Sequence, residues 1–320
     1  MIRHFQSALL LMGACACLML AGCSADKPQA TFQASDPIMF IPEGMPFLMR
    51  VDVAAIMQVD SIRSAVLDGI ANDRDTERIL SQAGIDPATA VSSFAMGVTG
   101  TSEDDVQLVM AFQTTANLAQ IIETTRDVAG MKVDIEEIED GSNTIYKIRD
   151  LENANSEVPE MFATATDGTI LVATSQNLLA RAKEAVNSGV GAYKSASVTS
   201  LLPRINTTSH VWFLGDARSI PGIPANDAPD GMGMSMDFTG GNLSAAMFLQ
   251  VADNAQAATL AKQMNDGLNQ YGPMAAMINP GLADLHKGVK IASNSNVVNI
   301  DVTFTKAQLD AIAAAAEAMR

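Results

Sequence analysis

The sequence predicts an α+β fold of two tandem, related units, each made of antiparallel hairpins with helices packed on one face. Three observations carry this. Short apolar runs alternate with period two, as in VQLVMAFQ (106–113) and LSAAMFLQ (243–250), and that period puts successive side chains on opposite faces of a sheet. Turn signals separate the runs, Asp167-Gly168 being the tightest, and such dipeptides close two-residue hairpins. Finally, the order of motifs in the first half of the chain returns in the second, the mark of an internal repeat.

Taken in order, FLMRVDVAAI (47–56) aligns without gaps with VWFLGDARSI (211–220), pairing Phe47 with Val211, Asp52 with Asp216 and Ile56 with Ile220. Each reads as a strand ended by an Asp that suits a helix N-cap or turn. FAMGVTG (94–100) then aligns with MSMDFTG (234–240), matching Met96 to Met236 and Thr99-Gly100 to Thr239-Gly240. The second strands of these hairpins set Met110 against Met247 and Gln113 against Gln250. Asn117 and Asn254 each open a helical stretch, since Asn satisfies the free N–H groups of a first turn. A further hairpin and helix close each half. The halves differ by a helical segment at 61–92 and an extra hairpin, KVDIEEIEDGSNTIYKIRD, in the first. The second has a Pro-rich loop, SIPGIPANDAPDG, and a short helical stretch in PMAAMINPGLADLHKG. The units therefore run 38–195 and 196–320.

The strand-Asp pattern, DGTILVATS and NLLARAKEAV resemble large, uncharacterised families of duplicated extracytoplasmic bacterial proteins. Their shared motifs are structural and imply no chemistry.

Ahead of the first unit, Arg3 and His4 precede an apolar run from Ala8 to Leu20. Its length suits a secretory signal and falls short of the roughly 20 apolar residues that span a bilayer. It ends in Leu20-Ala21-Gly22-Cys23, which resembles the lipobox of bacterial lipoproteins. The resemblance implies that residues 1–22 are a signal peptide cut between Gly22 and Cys23. It also implies diacylglycerol on the Cys23 sulfur and a fatty acyl group such as palmitate on its amine. Ser24 at the next position implies, in a Gram-negative envelope, the outer membrane, with the body facing the periplasm. Residues 23–37 would be the lipidated Cys and a tether, SADKPQATFQASDP, reaching about 45–50 Å when extended.

Composition narrows function. Twenty Lys+Arg against 36 Asp+Glu give a formal charge of -16. Loss of Arg3, the one formal charge among residues 1–22, takes this to -17. No basic run offsets it, so nucleic acid is excluded as a partner by repulsion. The three cysteines are Cys15, Cys17 and Cys23. The mature chain thus has one thiol at most, consumed by the lipid, and neither disulfides nor a Cys nucleophile.

Few residues suggest chemistry. Met232, Met234 and Met236 alternate in DGMGMSMDF, and thioethers suit Cu(I), with Met274 and Met277 as further donors. Against this, 19 Met are spread through apolar positions, and Met is an adaptable core filler. Core packing is therefore expected, and neither metal nor cofactor. His210 and His286 have no G-x-S-x-G elbow beside them. Asn226, Asp227 and Asp230 depart from EF-hand spacing, and NDRDTE (72–77) and DIEEIEDG (134–141) read as solvated faces. The expectation is a non-enzymatic envelope lipoprotein, held in the bilayer by Cys23 and acting as a binding or interaction module for an envelope protein. The alternatives are a carrier of an apolar ligand, held between the units or beneath the Pro-rich loop, and an envelope hydrolase using Asp52 and Asp216.

Overall fold

The computed structural model describes residues 32–33, 35–100, 105–128, 133–141, 143–150, 160–219, 229–278 and 284–318. Leu20-Ala21-Gly22-Cys23, most of the expected tether and Pro-rich loop residues 220–228 lie outside the described residues. The chain divides into two compact units, the break falling between Val198 and Thr199.

The first unit holds β1 (Phe47–Val51), β2 (Val91–Thr99), β3 (Gln107–Thr114), β4 (Val133–Asp140), β5 (Asn143–Asp150), β6 (Met161–Thr166) and β7 (Thr169–Ala173). Every ladder is antiparallel, in the order β1-β2-β3-β7-β6-β5-β4. Between β1 and β2 come α1 (Val53–Ile56), α2 (Asp60–Asn72) and α3 (Arg74–Gln82). Then α4 (Leu118–Asp127) follows β3, and α5 (Gln176–Ser188) follows β7. At the boundary between the units lies α6 (Ala196–Leu201).

The second unit holds β8 (Val211–Gly215), β9 (Gly231–Thr239), β10 (Asn242–Gln250), β11 (Val289–Asn294) and β12 (Val297–Phe304). They form antiparallel ladders in the order β8-β9-β10-β12-β11. Its helices are α7 (Asn254–Ile278), which runs on past Pro273 without a break, and α8 (Lys306–Ala318). The order β1-β2-β3-β7-β6 thus has its counterpart in β8-β9-β10-β12-β11. The extra hairpin of the first unit is β4 and β5.

Register corrects one detail of the sequence alignment. Met96 lies opposite Met49 on one side and Met110 on the other, and Met110 opposite Val172. The matching row in the second unit is Phe213, Met234, Met247 and Ile300. Met234, not Met236, therefore occupies the place of Met96. The cause is turn chemistry. β9 turns into β10 through Gly240-Gly241, with φ of 60° and 81°, the positive values that a two-residue hairpin demands. The β2–β3 connection is longer, so its Thr-Gly pair lies at a different height. A slip of two residues keeps every side chain on its own face, which is why the alternation survives it.

Helices also stand on both faces of these sheets, where the sequence suggested one. In the first unit Leu118 and Ile122 of α4 pack on Tyr146, Ala163, Ile170 and Val172. The opposite face carries Ala95, Val109, Ala111, Leu171 and Ala173, all withdrawn from water. It lies under the 3-10 turn Pro37–Phe40, Ile41 and α5, whose Leu178, Leu179 and Ala182 are fully buried. In the second unit Ala257 and Ala261 of α7 cover Met234, Met236, Ile300 and Val302. Trp212, Leu214 and Phe248 are buried on the other face, where Leu201 and Ile205 approach the backbone at Gly231 and Gly233. The physical reason is visible in the strands: residues 93–97 of β2 and 233–236 of β9 are buried consecutively, so one covering layer cannot suffice.

Such cover requires close approach. A Cβ on Gly97 would collide with Ile41 Cγ2 and come within 3.1 Å of Met45. Gly97→Ala is therefore expected to lower unfolding stability by about 1–3 kcal/mol, the usual cost of overpacking. Gly141→Ala gives the contrast, because a Cβ there meets nothing within 4 Å but its φ is +64°; its cost would come from backbone strain alone. Urea melts of the two variants check this, with burial predicting that only Gly97→Ala is rescued by trimming Ile41 to Ala.

Candidate functional site

The polar residues singled out by sequence are engaged in building backbone. Asp52 Oδ1 accepts from Ala55 N at 2.9 Å and caps α1. Asp216 Oδ1 accepts from Arg218 N at 3.0 Å, opening the 3-10 turn Ala217–Ser219. The Arg218 guanidinium returns to the same carboxylate through Nε and Nη2, both at 2.9 Å. These hydrogen bonds, against a smaller opposing effect of burial, hold the Asp216 carboxyl below the usual range. Arg218 also reaches Asp230 at 3.3 Å; the other two proposed calcium donors, Asn226 and Asp227, lie outside the described residues.

His210 is equally committed. Its ring Nδ1 accepts from Phe238 N at 3.0 Å, so the neutral ring carries its proton on Nε2. The Asp237 carboxylate accepts from Ser209 Oγ at 2.7 Å and from His210 N at 3.1 Å. Together these pin the turn before β8 to the end of β9. His286 lies in the 3-10 turn Leu285–Gly288. The acidic stretches carry ion pairs at the surface: Arg149 lies 3.2 Å from Asp134 and 3.7 Å from Glu136, and Arg78 3.3 Å from Asp75.

The three methionines share one face of β9. Met234 and Met236 are 1% and 4% exposed, within a cluster of Leu243, Ala245, Val298, Ile300, Val302 and Phe304. Met232 is half-buried, opposite Gly215 and Leu249. The thioethers of Met234 and Met236 are thus packed among hydrocarbon. The side chains of Met274 and Met277 lie outside the description. Among the described residues no group of three His, Cys, Asp or Glu is placed to hold a metal ion.

What the sequence did not point to is an apolar pocket of about 270 Å³ within the first unit. Leu80 at the end of α3, Ile85 and Pro87 in the following loop, and Val91 at the start of β2 form one side. Phe112 of β3, Ile121 of α4 and Ile170 of β7 form the other. All seven are half-buried, so hydrocarbon is left lining a hollow open to solvent. Phe112 is flanked across the ladder by Phe94, ring centres 4.9 Å apart. Thr114 brings the one hydroxyl, and its proton is spent within the wall: Oγ1 donates to Ala90 O at 2.7 Å and accepts from Ala116 N at 3.0 Å. The loop is equally closed on itself, Ile85 N bonding Leu80 O at 2.8 Å and Ala90 N bonding Asp86 O at 2.9 Å. Its available signal was the apolar spacing in ILSQAGIDPATAV (79–91), read as part of a helical insertion.

No family model matches the chain, and no curated protein matches it. Among solved structures it is similar to crystal forms of TP0453. Form III is 9% identical over 89% of this chain and 100% of that one, with a TM-score of 0.49. Form I is 11% identical over 90% and 99%, with a TM-score of 0.48. Form IV is 9% identical over 88% and 96%, with a TM-score of 0.45.

The Asp216 pair has a testable sign. A carboxyl whose folded pKa is depressed adds stability above its unfolded pKa of about 3.9, and that contribution is lost as pH falls through the lower folded value. Arg218→Met should bring the Asp216 carboxyl back up toward the ordinary value. In the variant, an NMR titration of this carboxyl should therefore show a higher midpoint. The stability difference from the parent should shrink once pH falls below the folded midpoint.

Proposed function

We propose that this chain is a lipid-anchored module of the cell envelope that works by binding rather than by catalysis. Acylated Cys23 holds it in the bilayer, in the outer membrane and facing the periplasm where the envelope is Gram-negative, and an envelope protein is its partner. The observation that carries the reading is Leu20-Ala21-Gly22-Cys23 at the end of an apolar run of signal length. No described helix is long and apolar enough to cross a membrane. One acyl chain alone holds a protein only marginally and reversibly; three chains on one Cys would make the attachment durable.

The binding half of the proposal draws on where the polar residues are spent. Asp52 and Asp216, the carboxylates a hydrolase would use, accept from the backbone at the starts of helical turns. His210 accepts from the Phe238 amide. A second reading, carriage of an apolar ligand, is favoured by the pocket of the first unit.

The anchor is tested by growing cells on an alkyne-bearing palmitate analogue and fractionating their membranes. Wild-type chain should take the label and appear with the outer membrane, and Cys23→Ser should lose the label and the membrane association. Label retained by Cys23→Ser would overturn the anchor. Mass spectrometry of proteins retained with the acylated chain in mild detergent should show a stoichiometric partner that Cys23→Ser lacks.

A further inference from the structure

We propose that the pocket between α3, α4 and the sheet of the first unit is a binding site for a single unbranched hydrocarbon chain. The inference deepens the carrier reading and stands whether or not Cys23 is acylated.

The lining sets the chemistry. The wall is almost wholly hydrocarbon, and its one hydroxyl donates back into the wall: Thr114 Oγ1 bonds Ala90 O and accepts from Ala116 N, while Ala90 O also accepts from Thr115 N at 3.0 Å. A ligand carrying donors or acceptors into this hollow would lose its water and gain no partner, which costs free energy. Hydrocarbon loses nothing and gains burial. The wall is also left incomplete without it, because Leu80, Ile85, Val91, Phe112, Ile121 and Ile170 remain half-open around one hollow.

The size sets the shape. An apolar cavity of 150 Å³ takes benzene, and drug-sized ligands occupy about 300–1,000 Å³. At about 270 Å³ the pocket is too large for one ring and too small for a fused polycyclic body. With a methylene near the ~30 Å³ share of a liquid water, it holds on the order of nine carbons. The open side lets the polar end of an amphiphile stay in water. The chain could belong to a separate lipid or to the protein's own Cys23.

The test uses soluble protein of residues 24–320, which keeps every described residue, titrated calorimetrically with 1-alkanols from hexanol to dodecanol. Affinity should rise about fourfold per added carbon, the factor that about 0.8 kcal/mol per buried CH₂ gives, and level off at about nine carbons. Ile121→Trp should fill the hollow and weaken nonanol binding at least tenfold. Ala116→Trp, from the loop ahead of α4, serves if the first variant melts early. Absence of saturable binding, or affinity that climbs without levelling, would overturn the proposal. Nonanol binding unchanged in both well-folded variants would overturn this site while leaving a carrier site elsewhere open. The source is read by placing photoreactive benzoylphenylalanine at Pro87 on the rim of the acylated chain. Cross-linking without a gain in mass assigns the Cys23 lipid; a gain of one lipid assigns a separate molecule; no hydrocarbon adduct overturns the proposal.

Discussion

The middle of β2 and the middle of β9 give up water on both faces, and each unit is arranged around that burial. A strand can be buried so only if its N–H and C=O groups are all satisfied laterally, because an unpaired backbone group in an apolar interior costs several kcal/mol by the transfer scale. β2 meets this by pairing with β1 and β3, and β9 by pairing with β8 and β10. Both central strands then need two covers. In the first unit these are α4 on one side and α5 with the 3-10 turn Pro37–Phe40 on the other. In the second, α7 supplies one cover.

Close cover explains two choices of residue. Glycine appears where a covering group meets the sheet backbone: Gly97 beneath Ile41 and Met45, and Gly233 beneath Ile205, whose Cγ2 lies 3.1 Å from where a Cβ would stand, with the cross-strand ring of Phe248 closer still. Methionine appears along the rows between strands, Met49, Met96 and Met110 in one unit and Met234 and Met247 in the other. Its unbranched chain fills the uneven gaps between a twisted sheet and a helix better than a branched one can. The alternating methionines of β9 are part of this packing rule.

The two units follow one strand order but diverge where their connections differ. The first adds α2, α3 and the β4–β5 hairpin; the second tightens the β9–β10 turn. The additions have a consequence for function. α3 and its following loop reach the start of β2, and with α4 they leave an apolar hollow lined in part by the first unit's added segment. Asp52 and Asp216 fix turns, as their place after a strand suggested, and His210 ties the turn before β8 to Phe238. A pocket lined by hydrocarbon and one threonine has no titratable signature, so charge and motif searches pass over it.

Much of the fold was legible from the chain alone. Alternation in VQLVMAFQ and LSAAMFLQ marked strands, Asn117 marked the helix it caps, and the recurrence of Asp52 as Asp216 marked the shared plan, because each depends on neighbours in sequence. The second helix starts at Asn254 as expected, but its cap is Asp253, whose Oδ1 accepts from Gln256 N at 2.8 Å. The resemblance of Leu20-Ala21-Gly22-Cys23 to a lipobox, on which the proposed anchor rests, is likewise a matter of neighbours in sequence. Tertiary structure alone decided the second helical face, the two-residue shift that puts Met234 in the place of Met96, and the pocket. Burial on the far face of a strand depends on segments such as Ile41 and α5, remote in sequence from β2. The shift depends on how two turns close. The pocket gathers Leu80, Phe112, Ile121 and Ile170 from four separate elements. Periodicity along a chain reports which way a side chain points, and only the folded packing determines what it meets there.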